Sequence, residues 1–271
     1  MKHVLITLLL IAPAVARAAE PAATVKVANG RADFLLGEEL VSSYHFAAEV
    51  AKPYFWPLHA PGQIVVTRGW PMVKGLPKET TDHVHQKSAW FCHGDVIPEG
   101  VTVVPSSDKR VKGVDFWSES KGHGRIVCVK ADSFNQSGLV TQNEWRDSAG
   151  TKILDETRTI TLLPVTGGRL LVINVEFHAS VCPIAFGDTK EGSMGVRVSD
   201  EMCLSAKNEK NRMVNAEGKN GEKEAWGMLS AWCDYSGDVG GKHAGIAIFD
   251  SPANASKAAW HARGYGLMAA N

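Results

Sequence analysis

Arg169-Leu170-Leu171-Val172-Ile173-Asn174-Val175-Glu176-Phe177-His178-Ala179-Ser180-Val181 is the stretch on which the fold class turns. Leu171, Ile173, Val175, Phe177 and Ala179 place an apolar side chain at every second residue. Successive side chains of a strand point to opposite faces, so this period marks a half-buried strand. Outward from it the pattern repeats. Arg125–Phe134, Val140–Arg146 and Lys152–Leu163 are strand-like, and turn signals at Ser137-Gly138, Asp147 to Gly150 and Gly167-Gly168 separate them. Ala23–Val27, Ala32–Leu36, Val41–Phe46, Ile64–Thr67, Met194–Val198, Ala225–Asp234, Ala244–Phe249 and Gly264–Met268 extend the series. No window sustains helical spacing of apolar residues. The chain predicts an all-β protein, an antiparallel β-sandwich. Three prolines between Lys52 and Pro61 predict a rigid extended loop, and the polar run Asn208 to Glu224 predicts a long solvated one.

The N-terminus reads Met1-Lys2-His3, then apolar from Val4 to Val15, then Ala16-Arg17-Ala18-Ala19. A basic start, a short apolar run and a small-x-small site predict an export signal over 1–18, cleaved after Ala18. The expected product is a single domain over 19–271, periplasmic or secreted, with no membrane span after cleavage. Lys+Arg and Asp+Glu are equal at 29 each, and no basic stripe suggests nucleic acid as a partner. Five cysteines, at 92, 128, 182, 203 and 233, follow neither CxxC nor zinc-ribbon spacing. They read as buried apolar residues, with Cys182–Cys203 an open pairing. Eight tryptophans are scattered along the chain. Each is a core residue or a stacking platform for a sugar.

Chemistry concentrates in three places. Asp82-His83-Val84-His85-Gln86-Lys87-Ser88-Ala89-Trp90-Phe91-Cys92-His93-Gly94-Asp95 holds three of the ten histidines. On a strand His83 and His85 share a side. With His93 they form either a proton-transfer group or the ligands of a divalent metal, or they simply satisfy loop backbone. Phe186-Gly187-Asp188-Thr189-Lys190-Glu191-Gly192 sets Asp188, Lys190 and Glu191 between glycines at a sheet end. Trp260-His261-Ala262-Arg263-Gly264-Tyr265-Gly266 places His261 and Arg263 two apart. Trp90, Trp232, His261 and Arg263 are the candidate substrate contacts, and His83, His85, His93, Asp188, Lys190 and Glu191 the candidate catalytic groups. No GxSxG, GxxxxGK[ST], GxGxxG or HExxH motif occurs, which disfavours nucleotide and nicotinamide chemistry.

These runs, with Asp115-Phe116-Trp117, Lys52-Pro53-Tyr54-Phe55-Trp56-Pro57-Leu58 and Trp260 to Asn271, resemble a bacterial family carried under the label "methane oxygenase PmoA-like". The resemblance covers nearly all of 19–271. It implies a β-sandwich of the galactose-mutarotase type, in bacteria rich in exported carbohydrate-degrading proteins. Methane oxidation does not follow, because the membrane subunit of that name spans the bilayer several times and this chain has no such segments. Where the family reads Asp-His-Pro-His-His-Arg, this chain has Val84, Gln86 and Lys87. The resemblance also implies strands beyond Asn271, which makes this chain a shortened member.

Three functions stand as expectations. The first is an exported enzyme acting on carbohydrate (a lyase, hydrolase or epimerase) through a His/Asp/Glu/Lys pocket, with no cofactor. The second is a non-catalytic sugar-binding or structural protein. The third is an oxygenase with a metal on His83, His85 and His93. No nucleic-acid partner is expected.

Overall fold

The alternating segment begins at Gly168 and runs to His178, paired antiparallel with Lys152–Val165 from Asp155↔His178 to Val165↔Gly168. The computed structural model describes residues 21–271, so the export signal expected over 1–18 lies outside the described residues. The chain is 49% strand and 4% helix, in antiparallel sheets, and the β-sandwich is confirmed.

In chain order the strands are β1 (Ala23–Ala28), β2 (Arg31–Leu36), β3 (Glu39–His45), β4 (Tyr54–Ala60), β5 (Ile64–Val65), β6 (Ala89–His93), β7 (Val96–Pro98), β8 (Arg125–Phe134) and β9 (Gly138–Arg146). Then follow β10 (Lys152–Val165), β11 (Gly168–His178), β12 (Ile184–Phe186), β13 (Gly192–Arg197), β14 (Arg212–Asn215), β15 (Trp232–Val239), β16 (Lys242–Phe249), β17 (Trp260–Ala262) and β18 (Leu267–Ala270). The large sheet runs β1-β2-β3-β4-β6-β13-β18-β17, with β5 beside β4. A four-stranded sheet, β11-β10-β9-β8, lies against it, and β14-β15-β16 and β12-β7 complete the molecule.

The large sheet is buried on both faces. Tyr44, Phe55, Ala89, Val196, Met268 and Ala262 lie in register along one face and belong to a core shared with Leu139, Ile160 and Leu162 of the four-stranded sheet. The next row, Trp90, Gly195 and Ala269, is on the opposite face, with Trp117 packed over it. Trp90 and Trp117 meet at 5.0 Å and 62°. A methyl group on Gly195 would sit 2.7 Å from Trp90 and 3.0 Å from Trp117, so only glycine lets both indoles reach the sheet.

One buried ion pair ties the two sheets. Glu156 takes both its oxygens to Arg158, at 2.7 and 2.9 Å, and also accepts from Asn143 and Trp145. Arg158 Nη1 then donates to the Tyr44 hydroxyl of the large sheet at 3.0 Å.

Two sequence expectations give way. Lys52–Pro61 is strand β4 rather than a loop. The pairing with β3 is interrupted between Phe55 and Leu58, and Pro57 falls in that irregularity, where no ladder N–H is needed. Asn208–Glu224 contains β14 and a short helix, Glu222–Ala225, because Met213 is wholly buried. All five cysteines are free, so Cys182 and Cys203 do not pair.

Replacing Glu156 by Gln leaves the Arg158 guanidinium buried without its counter-charge. Loss of one partner of such a pair costs about 3–5 kcal/mol. The unfolding free energy of Glu156→Gln from urea titration is expected to fall by that amount.

Candidate functional site

The histidine run is a turn. His83 takes a left-handed φ of 43°, so His83 and His85 are not strand neighbours, although their rings still meet edge to face at 5.7 Å. A non-glycine residue held in that region costs free energy that the surroundings must supply. Arg68 and Arg197 supply it. Both guanidiniums are buried, and both reach Asp82 Oδ1, at 2.5 and 3.2 Å. Arg68 also binds the carbonyls of Asp82 and His83, and Arg197 binds Gln86 Oε1 at 2.7 Å. Burial opposes ionisation of Asp82, but the two arginines and His83 hold its carboxyl down to about 2.

The other oxygen of Asp82 lies 2.8 Å from His83 Nδ1. The carboxylate places the imidazole proton on Nδ1 and leaves the lone pair of Nε2 free. The His83 ring stacks on Tyr265 at 5.2 Å and 11°. Arg197 lies under the same phenol, 4.6 Å from its centroid, and Gln86 hydrogen-bonds it. Gln86 stands where the resembled family has its third histidine, and its work here is to join Arg197 to Tyr265.

Beyond Tyr265 the chain brings Glu191 to His261. His261 is buried on the Trp90 side of the large sheet, in the row Trp90–Gly195–Ala269–His261. Its Nδ1 faces Glu191 Oε2 at 3.9 Å, beyond hydrogen-bond reach, and has no partner. Burial raises the Glu191 carboxyl above its usual range, with Asp115 adding to the rise and Lys190 opposing it. Glu191 is also felt at the Tyr265 phenol. The contacts therefore run His85–His83–Tyr265, and Glu191, which faces His261, acts electrostatically on that phenol.

Other expected residues fall elsewhere. His93 projects to the opposite face of β6, where it bonds Gly187 O at 3.0 Å and meets the edge of Phe186 at 5.2 Å. The three-histidine set for a metal does not form: His93 is turned to Gly187 and Phe186, while His83 and His85 meet on the turn. Among the described residues no three His, Cys, Asp or Glu side chains gather closely enough to share an ion. Trp90 is fully buried and cannot stack on a sugar. Trp232 sits beside Phe249 on the three-stranded sheet, apart from the histidines. Asp188 is exposed on its turn. Lys190 is 3.7 Å from Glu191, and Arg263 is held 3.1 Å from Glu222 while its guanidinium lies 5.8 Å from the Tyr265 ring. Arg68, Arg197 and Tyr265 escaped the sequence reading. The adjacency of Asp82 and His83, and the flanking of Tyr265 by Gly264 and Gly266, were the available signals.

Burial holds His85 down to about 3, with Lys52 and His83 adding to the effect. Burial with Lys190 and Arg263 holds His261 down to about 4. Both values lie below the unfolded value of about 6.5. Between these limits the unfolded chain binds more protons than the native one. The stability these imidazoles lend is complete above about pH 6.5 and is lost as pH falls toward about 4 and then about 3. Urea midpoints are expected to drop across that window, and His261→Gln to flatten the slope. An unchanged slope in the variant would show that this imidazole does not carry the linkage.

The profile of a family of unknown function, DUF6807, matches residues 31–271. No curated protein and no solved structure matches the chain.

Proposed function

The chain belongs to that family of unknown function, and from its own residues we propose that it is a carbohydrate-active enzyme in which His83 is the general base. The Asp82–His83 pair carries the reading. A carboxylate fixed by two buried arginines orients an imidazole that is 39% exposed, with its free nitrogen open to a ligand. That is the division of labour by which a fixed acid positions a catalytic base, here with the acid held by arginines rather than by its own burial. Glu191, raised toward the protonated form by burial, is the complementary proton donor.

The arrangement favours a lyase or epimerase over a hydrolase. In such reactions one proton leaves the sugar for His83 Nε2 and another is delivered by Glu191. Hydrolysis commonly needs two free carboxyls about 5–10 Å apart. Asp82 is tied to Arg68 and Arg197, Glu119 to Lys52 and Lys87, and Glu222 to Arg263. Asp115 accepts from Trp117 N and Ser118 N. Asp188 is open to solvent on its turn, and Glu191, half-buried and 3.7 Å from Lys190, is the carboxyl that burial shifts toward the protonated form.

The PmoA-like resemblance fits this reading without methane oxidation. No helix among the described residues is long and apolar enough to cross a membrane. The N-terminal pattern supports work in the periplasm or outside the cell.

Incubation with a panel of neutral and acidic polysaccharides, followed by detection of unsaturated ends and of epimerised products, tests the proposal. Turnover is expected with at least one member. His83→Gln is expected to lower kcat by about 100-fold or more, with the melting temperature kept. Binding without turnover would move the protein to the non-catalytic class.

A further inference from the structure

A surface hollow of about 350 Å³ opens beside the histidine turn, lined by Glu119, Ser120, Lys121, His123, Arg125 and Ser148. Its size is at the lower end of the range for small-ligand sites, about 300–1,000 Å³. A second hollow, of about 400 Å³ beside Glu144, Asp155 and His178, is lined mainly by acids and amides.

The charge of the first hollow is one-sided. Glu119 is spent on Lys87, at 2.6 and 2.7 Å, and on the buried Lys52 at 3.3 Å. One carboxylate thus faces two ammonium groups, and Lys121 and Arg125 are then in excess. Of the neighbouring acids, Asp147 is held by the N–H groups of Ala149 and Thr151, Asp115 by Trp117 N and Ser118, and Glu49 is felt at Tyr54. Arg125 donates to the carbonyls of Ala48 and Val50, yet its Nε is buried without a partner. Its charge and that of Lys52 both press on Lys87, whose own acidity rises with burial. His123 Nδ1 is 2.7 Å from Gly124 O and so carries the proton, which leaves Nε2 as an acceptor. Ser120 and Ser148 add hydroxyls. The surplus suits an oxyanion, and the neutral groups suit hydroxyls.

Glu119 on the wall of the hollow is hydrogen-bonded to Lys87, two residues from His85. Lys52 and Glu119 both act electrostatically on His85, which meets His83 edge to face. We infer that this hollow is a subsite for an acidic sugar unit, one bearing a carboxylate or a sulfate, so that the substrate is an anionic glycan. The inference rests on the proposed function and names its substrate class.

Calorimetric titration of the full chain with glucuronate, glucose 6-sulfate and glucose tests it. One or both acids are expected to bind, which identifies the anionic group, while glucose does not. The affinity is expected to fall about tenfold in Lys121→Glu and to weaken with added salt. His123→Ala should weaken binding without that salt response. Equal binding of glucose, no binding of either acid, or an unchanged affinity in Lys121→Glu would overturn the subsite. The two readings fail separately. If the acids bind through Lys121 but His83→Gln costs no turnover, the base assignment falls and the subsite stands. If neutral polysaccharides are turned over as fast as acidic ones, the subsite falls and the base stands.

Discussion

Two guanidiniums buried side by side repel each other, and the molecule resolves that repulsion chiefly with Asp82, with Asp200 3.7 Å from Arg197 in support. Arg68 and Arg197 are almost fully buried, and each presses on Asp82. Isolated cations in such a place would be costly to desolvate. The acid that relieves them comes from the turn that carries the histidines. Folding of the sheet around Arg197 and seating of the turn are thus a single event. Thr80 and Asp200 extend the same clamp, with Thr80 N bonded to Asp200 Oδ2 at 2.5 Å. The strained backbone of His83 is sustained by this network rather than by the local sequence.

The rest of the site is arranged by the two-sided burial of the large sheet. Because Trp90 and Trp117 cover one face, the strand ends that pass beyond them can present polar groups at the margin of a dry floor. His261 lies in the same cross-strand row as Trp90, separated from it only by Gly195 and Ala269. Small residues at those two positions keep the floor low. Removal of water from such a margin strengthens each electrostatic contact made there.

Much of the fold was legible in the sequence because period-two alternation is a local signal. β10 and β11 appear in it almost residue by residue. Lys52–Pro61 misled because a proline can be housed at a bulge, which depends on the partner strand. Asn208–Glu224 misled because one buried methionine, Met213, outweighs a polar neighbourhood. The site was legible in its parts and not in its assembly. His83, His85, Glu191 and His261 stood out as residue types. Their grouping depends on Arg68, Arg197 and Tyr265, which lie far from the turn in sequence and look ordinary there. Trp90 looked like a sugar platform, since nothing local reveals that Gly195 lets Trp117 lie over it. His93 seemed to belong with the other histidines by proximity in sequence, and its ring is turned instead to Gly187 and Phe186.

The unpaired cysteines have a consequence for the redox behaviour of the chain. Burial pushes Cys92, Cys203 and Cys233 up to about 12 and Cys128 up to about 11. The thiolate is the species that attacks disulfides and alkylating reagents. At neutral pH these four sulfurs hold almost none of it. An odd number of thiols is therefore compatible with an oxidising environment, because the folded chain keeps four of them from exchange. The half-buried Cys182, next to Pro183 at the entry to β12, is left as the point at which a probe or an oxidant can react.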